Sequence, residues 1–359
     1  MKEINGIRST AILCSSTILA KYLIIMPEFM IKHSGNAAWI EIIVKTLLTL
    51  ISFLVVLRLY KPFSSEPYEK VFYYSAGRFG GVLLRYIYAA MFIIYNAGLL
   101  RVLVEALGTV MANNAPDEYF ALFIIATILV CAYTGINSAN NLSLIFFPII
   151  LVTLFIVMLI LLPHYRLANI MPIMGKSTSS LISSSLTRNF GFMEIILLFF
   201  LADRIKDYKK LKKTGLLTIL IVFIFSFILL GCYCLCVPYP ASEKFFLPLY
   251  QMTRMIKAGS FIERLEPFVV FIWTALILCS MSALSYLSAR LLSGLKNAQE
   301  KAFVPIVTIL TFFISMLPDN EITALIFYEF ILDYSYILFP LLPILIISVA
   351  SVRRRNKTI

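Results

Sequence analysis

The chain has 359 residues, of which 60% are hydrophobic and only 14% are charged, and its mean hydropathy is +0.91. This composition excludes a soluble globular protein and indicates one integral membrane domain covering residues 1–359. The net charge of +12 does not indicate nucleic-acid binding, because the basic residues lie in loops beside apolar segments. There they are expected to anchor the chain at the surface of the lipid bilayer.

Ten apolar segments of about 20 residues or more are each long enough to cross a hydrocarbon core of about 30 Å. Such segments form helices, because every backbone polar group must be satisfied inside the membrane. The predicted fold class is therefore an all-α integral membrane protein with about ten transmembrane helices. They cover approximately residues 8–26, 38–59, 82–111, 118–136, 142–162, 184–203, 214–237, 262–292, 302–317 and 322–350.

Lysine and arginine are concentrated in alternate loops. One side of the membrane receives the lysines between residues 206 and 213 and the basic C-terminal segment 353–357, whereas the loops of the other side carry far fewer basic residues. Cytoplasmic loops are enriched in Lys and Arg. Both termini are therefore predicted to lie in the cytoplasm.

Two segments are too polar to cross the membrane, and each precedes an unusually long span. Segment 61–81 is rich in aromatic residues, and segment 243–260 is rich in aromatic and aliphatic residues. Both are predicted to be amphipathic helices that lie in a membrane interface. The topology puts them on opposite sides of the membrane, so the two halves have the same layout in opposite orientations. This predicts an inverted repeat, with helices 1–5 in residues 1–162 and helices 6–10 in residues 184–350.

The predicted sixth helix carries Arg188, Gly191 and Glu194. An ionisable residue at membrane depth costs roughly 2.5 to 3.5 kcal/mol and usually faces a cavity or a partner. A glycine beside such a charge is typical of a discontinuous helix, whose freed backbone groups can hold a ligand. The first helix, its counterpart in the repeat, carries Lys21 near the middle of the bilayer.

Lys21 and Glu194 lie at comparable depth on these two related helices. They could pair across a central cavity, or each could hold one end of a zwitterion. Two alternatives remain open, because Lys21 could snorkel to the interface and Arg188 could take its place. The i, i+4 pairs Glu41–Lys45 and Arg101–Glu105 are predicted to be structural.

Nothing in the sequence indicates an enzyme. There is no phosphate-binding loop, and the two histidines, His33 and His164, lie far apart in external loops. The six cysteines all lie in apolar segments, where packing is the expected role. No catalytic residue, cofactor or metal site is therefore predicted.

Two groups of residues resemble the B subunits of endospore nutrient-germinant receptors. The first comprises Phe246-Leu-Pro-Leu-Tyr-Gln-Met-Thr-Arg254, Gly259-Ser-Phe-Ile-Glu-Arg-Leu-Glu266 and Phe271-Ile-Trp273. The second, Asn189-Phe-Gly-Phe-Met-Glu194, is similar to the sixth helix of that family. The family belongs to the amino acid–polyamine–organocation transporter superfamily. The resemblance therefore implies a LeuT-like 5+5 inverted repeat in which helices 1 and 6 are discontinuous.

The resemblance also implies a function. A B subunit in the spore inner membrane would bind a small nutrient, typically an amino acid, and would assemble with an A subunit and a C lipoprotein. The ligand would lie between the unwound parts of helices 1 and 6, with walls from helices 3 and 8. The residues implied are Ser16, Thr17, Ala20, Lys21, Tyr95, Leu99, Asn189, Phe190, Gly191, Glu194 and Thr274.

Members of the family usually carry small residues, often Gly-x-Gly, in the middle of helix 1, where this chain has Ala20-Lys21-Tyr22. The Lys21 ammonium could replace the missing backbone contact to a ligand carboxylate, or it could act as a fixed internal cation. A proton-coupled amino acid permease working through Glu194 is the alternative function. An inert membrane scaffold is disfavoured, because it has no need for Glu194.

Overall fold

The computed structural model describes residues 6–64, 66–111, 116–187, 191–256, 266–294 and 297–356, and every regular element in these ranges is helical. The α-helices are α1 (Gly6–Ile24), α2 (Met26–Ser34), α3 (Ala38–Tyr60), α4 (Tyr68–Met111), α5 (Asp117–Thr134), α6 (Ile136–Ile160), α7 (Thr178–Thr187), α8 (Leu197–Phe200), α9 (Ala202–Ile205), α10 (Tyr208–Cys236), α11 (Pro248–Arg254), α12 (Glu266–Leu292), α13 (Asn297–Ser315), α14 (Glu321–Asp333) and α15 (Leu342–Asn356).

In these ranges, eight helical stretches are long and apolar enough to cross a membrane. Two of the ten predicted spans, 184–203 and 302–317, are not among these eight. The described part of residues 184–203 is divided among α7, α8 and α9 and a short 3₁₀ turn. Residues 302–315 of the other span lie in α13, which begins with polar residues. The all-α membrane fold with a discontinuous helix 6 is confirmed.

Helices α1, α4 and α12 form the interior of the bundle. In the most apolar window of α1, 83% of the residues are buried, against 22% in α5. Helix α12 packs against α1, α4 and α6. Polar side chains of α1 are therefore held away from lipid, because neighbouring helices surround them.

Helix 1 is divided at Ile25, where φ is −127° and ψ is −29°, and Pro27 lies in the first turn of α2. The division differs in position from the unwound segment that the family resemblance implies. Around residues 16–21 the helix is continuous, and Ser16 and Thr17 donate hydrogen bonds to the carbonyls four residues earlier at 2.8 and 2.9 Å. With no glycine in this segment, the backbone has no local reason to leave the helix.

The two segments predicted to be amphipathic are helical where they are described. Gly77 (φ 71°) divides α4 into a short first part and a long spanning part. The first part buries Tyr68, Val71 and Phe72 against the bundle. In the second segment, α11 forms, and residues 257–260 lie outside the described ranges. The location of both in a membrane interface remains a prediction.

At the base of the bundle, where α3, α12 and α15 end, three charged side chains form a buried cluster. The Arg290 guanidinium lies 3.2 Å from Glu69 Oε1 and 2.9 Å from Asp203 Oδ2. Arg290 also donates to the carbonyl of Phe200 at 3.4 Å. The cluster therefore joins α12 to the start of α4 and to the end of helix 6.

We expect Arg290→Met to lower the free energy of unfolding by about 3 to 5 kcal/mol, because it leaves the buried Glu69 carboxylate without its cation. The measurement is the thermal unfolding midpoint of the purified chain in detergent. Arg353→Met, which removes an exposed arginine at the same end of the bundle, serves as the control. Equal midpoints for the two variants would contradict the structural role of the cluster.

Candidate ligand-binding site

Helix 6 is interrupted after α7 and becomes helical again at Met193. Gly191 has a positive φ of 37°, and a Cβ at this position would lie 2.1 Å from Thr49 Oγ1. Only glycine fits this conformation and this close approach. The Phe192 N–H donates to Thr49 Oγ1 at 3.1 Å. A threonine of α3 thus supplies an acceptor that the interrupted helix lacks.

Lys21 of α1 lies beside this break. Its Nζ is 3.0 Å from Glu194 Oε1 and donates to the carbonyl of Gly191 at 3.2 Å. The side chains of Lys21 and Glu194 are only 1% and 2% exposed. Of the alternatives left open by the sequence, this structure contains the direct pair, in which the freed backbone carbonyl is a second partner of the ammonium.

Two tyrosines lie on the α4 and α14 side of Glu194. The Tyr95 hydroxyl of α4 donates to Glu194 Oε1 at 2.5 Å, and the ring of Tyr328 in α14 lies 5.9 Å from the ring of Tyr95. Glu194 Oε2 is buried and accepts no hydrogen bond from the described residues. The carboxylate therefore retains one oxygen for a further donor.

A second buried ion pair lies on α3, next to the break in helix 6. Lys45 Nζ is 3.0 Å from Glu41 Oε1, and both side chains are at most 2% exposed. Ser34 donates to Glu41 at 2.5 Å and is hydrogen-bonded to Ser184 of α7 at 2.8 Å. The carbonyl of Lys45 accepts from Thr49 Oγ1 at 2.9 Å. These contacts hold α3 against both sides of the break.

The predicted pair Arg101–Glu105 also forms, with 2.5 Å between Nη2 and Oε1. Asp117 lies 3.1 Å from the same guanidinium nitrogen. Both predicted i, i+4 pairs are thus present in the structure.

Of the candidates from the sequence, Lys21, Tyr95, Gly191 and Glu194 are brought together by direct contacts. Asn189 and Phe190 lie outside the described residues. Hydrogen bonds and ion pairs of the described residues do not join the remaining candidates to Lys21 or Glu194; these are Ser16, Thr17, Ala20, Leu99 and Thr274.

Sequence reasoning missed Thr49 and Tyr328. Neither carries a charge. Tyrosine is common at membrane interfaces and threonine at helix–helix contacts, so neither residue stands out in the sequence. The spacing of Thr49 from Lys45 was the one available signal. An i, i+4 threonine hydroxyl commonly bonds the preceding turn and stays beside its neighbour.

Solved structures establish the fold of this chain. A nucleobase-cation-symport-1 family transporter, in a closed conformation with bromovinylhydantoin bound, matches with a TM-score of 0.61 at 13% identity, over 90% of this chain and 74% of that one. A Na⁺-coupled sialic acid symporter in an outward-open state matches with a TM-score of 0.54 at 14% identity, over 88% and 74%. The fold is that of LeuT-like transporters, so the class defined here is a membrane protein of the transporter fold.

Sequence comparison gives the family. The family model described as spore germination protein matches residues 6–324, and the chain belongs to this family. Spore germination protein XB of Bacillus anthracis is 24% identical over 89% of both chains. Spore germination protein B2 of Bacillus subtilis is 25% identical over 93% of this chain and 92% of its own length. The resemblance to germinant-receptor subunits is confirmed at the level of the family.

Gly191→Ala is expected to destabilise the chain by about 1 to 3 kcal/mol, because an alanine at this positive φ is strained and its methyl group meets Thr49. Gly231→Ala is the matched control, since a Cβ at Gly231 has no neighbour within 4 Å. Thermal unfolding of both variants in detergent measures the difference. If Gly191→Ala unfolds at the wild-type temperature, the described break is wrong.

Removing one member of the Lys21–Glu194 pair should cost about 3 to 5 kcal/mol, because it leaves a buried charge without a partner. Lys21→Met and Glu194→Gln are each expected to destabilise the chain more than the double variant does. Unfolding midpoints of the two single variants and the double variant test this. Lys32→Met, in an ion pair where the lysine is 56% exposed, should change stability by less than about 1 kcal/mol. Additive losses would show that the pair does not form.

Proposed function

We propose that this chain binds a small zwitterionic nutrient, in the first instance an amino acid, between α1 and the break in helix 6, and thereby helps to trigger spore germination. The observation that carries the proposal is the buried Lys21–Glu194 pair, in which the Lys21 ammonium also donates to the carbonyl of Gly191. One cation, one anion and one backbone acceptor match the two ends of an amino acid.

In the proposed complex, the ligand carboxylate takes the place of Glu194 at the Lys21 ammonium. The ligand ammonium binds Glu194 and the Gly191 carbonyl. Tyr95 continues to donate to the Glu194 carboxylate. Each buried charge then keeps a partner of opposite sign, which a low-dielectric site requires. The wider candidate set belongs to this proposal as the remaining wall of the site: Ser16, Thr17, Ala20, Leu99, Asn189, Phe190 and Thr274.

In this structure Lys21 and Glu194 contact each other directly. A ligand must therefore compete with this internal ion pair. A ligand shifts a conformational equilibrium only through its different affinities for the two states. Separating Lys21 from Glu194 supplies that difference, because only the separated form offers both charges to the ligand. We propose that an A subunit and a C lipoprotein transmit the change, in the spore inner membrane and with both termini cytoplasmic.

The transport alternative is favoured by the fold itself, since the matched structures are those of a transporter and a symporter. In a proton-coupled permease, Glu194 would bind a proton in one state and the ligand in the other. The proposed repeat, 1–162 and 184–350, would supply the two moving halves. Binding without uptake distinguishes the receptor from the permease.

The experiment uses the full chain in liposomes with an imposed pH gradient and a panel of labelled amino acids, and it records binding and uptake separately. Saturable binding is expected without concentrative uptake. Lys21→Met and Glu194→Gln should each weaken binding by at least about tenfold, since a charge-assisted hydrogen bond contributes about 1.5 to 3 kcal/mol. Lys213→Met and Glu118→Gln, both at exposed positions, are the charge-matched controls.

Concentrative uptake that Glu194→Gln abolishes would make the chain a permease and reject the receptor. Binding that both site variants leave at the wild-type level would reject the site. If the chain binds nothing, the same panel is repeated with the co-expressed A and C subunits. Continued absence of binding there would reject the nutrient-binding function.

A further inference from the structure

A cavity of about 230 Å³ lies at the base of the bundle, away from Lys21 and Glu194. Its volume is several times the roughly 30 Å³ that one water molecule occupies in the liquid. It opens between the end of α5, the start of α6, α12 and the start of α13. Among its lining residues are Gly135, Arg204, Tyr286, Glu300 and Lys301.

Two cations of this cavity have no carboxylate partner. Among the described residues, no Asp or Glu oxygen lies within 4 Å of Arg204 or Lys301. Within the part of the chain that the structure describes, Arg204 donates only to the Tyr286 hydroxyl, at 3.1 Å, and its buried Nε has no hydrogen-bond partner. By contrast, Arg290, which lies four residues after Tyr286 on α12, is paired with the carboxylates of Glu69 and Asp203. Arg204, whose guanidinium also lies 5.9 Å from the Tyr286 ring centroid, therefore retains donor capacity that no described residue uses.

Glu300, the one carboxylate among the described residues that line the cavity, is already hydrogen-bonded. Tyr286 donates its hydroxyl hydrogen to Glu300 Oε2 at 2.9 Å, and both residues are only 8% exposed. Glu300 thus orients the tyrosine, whose oxygen accepts from Arg204. With Arg204 and Lys301 both charged, the cavity keeps a positive balance.

Backbone N–H groups add to the positive electrostatic potential of the cavity. Helix α6 is 25 residues long and begins in the cavity wall at Ile136, after Gly135 with φ 101°. Gly135, the N-cap residue, has no side chain with which to cap this N-terminus. The first N–H groups of a helix lack partners within the helix, and the helix dipole makes them favourable for anions.

We propose that this cavity binds a phosphate group, through Arg204, Lys301 and the backbone N–H groups at the start of α6. The phosphate can come from an anionic lipid headgroup or from free inorganic phosphate. The cavity is bordered by lipid-facing side chains, since Tyr133 in its wall and Ile306 on α13 are each 48% exposed. Basic pockets between membrane helices are known to take lipid headgroups.

The first arm of the test uses the full chain in phosphatidylcholine nanodiscs that contain a minority of phosphatidylglycerol. Native mass spectrometry after transfer to mild detergent counts the phosphatidylglycerol that each chain retains. Arg204→Gln/Lys301→Gln should reduce the affinity about thirtyfold, and Lys301→Gln alone about fivefold. Lys301 is exposed, so the single variant tests the site even if the double variant folds poorly. Lys212→Gln/Lys213→Gln, at exposed positions of the same end, is the control and should retain the lipid.

The second arm uses nanodiscs of phosphatidylcholine alone and adds inorganic phosphate. A rise in the unfolding midpoint of the wild type, but not of Lys301→Gln, identifies free phosphate as a ligand of the same site. Retention of phosphatidylglycerol without this rise identifies the lipid headgroup. The proposal is overturned if the wild type shows neither effect. It is also overturned if Lys301→Gln and Arg204→Gln/Lys301→Gln behave like the wild type in both arms.

Discussion

The structure depends on one ion pair inside the membrane, between Lys21 and Glu194. Removing two charges from water costs several kcal/mol per ion, which mutual attraction offsets only if further hydrogen bonds are present. The carbonyl of Gly191 and the hydroxyl of Tyr95 supply these bonds. The carbonyl is available because helix 6 is interrupted at this point. The pair and the interruption therefore stabilise each other.

The interruption needs support from outside helix 6. Thr49 accepts from Phe192 and donates to the carbonyl of Lys45, so α3 completes the hydrogen bonding at the break. Glu41 and Lys45 neutralise each other in the same layer, and they add no net charge beside Lys21. A hydrogen-bonded network of this kind resists small displacements, because each missing contact exposes a buried polar group. Such a network therefore favours a change between discrete arrangements of the break over a gradual displacement.

The charges made much of this site predictable. Lys21 and Glu194 stand out in apolar segments because their burial is costly, and Gly191 stands out beside them as a position of backbone freedom. The i, i+4 spacing of Glu41 and Lys45 was equally informative. Thr49 and Tyr328 could not be predicted, since their roles arise from the packing of separate helices. The position of the division in helix 1 also depends on packing, which keeps the segment around Ser16 helical.

The two ends of the bundle differ in the ion pairs that would have to separate before the proposed ligand could reach Lys21 and Glu194. At the base, Arg290 is 5% exposed and is joined to Glu69 and Asp203 in a buried cluster. At the opposite end, Glu329 pairs with Lys32 and His33, and Lys32 is 56% exposed. Water compensates an exposed charge when its pair separates, whereas a buried charge has no such replacement. The electrostatic cost of separating these contacts is therefore lower at the end that carries Glu329, and the proposed ligand would meet the weaker barrier on that side.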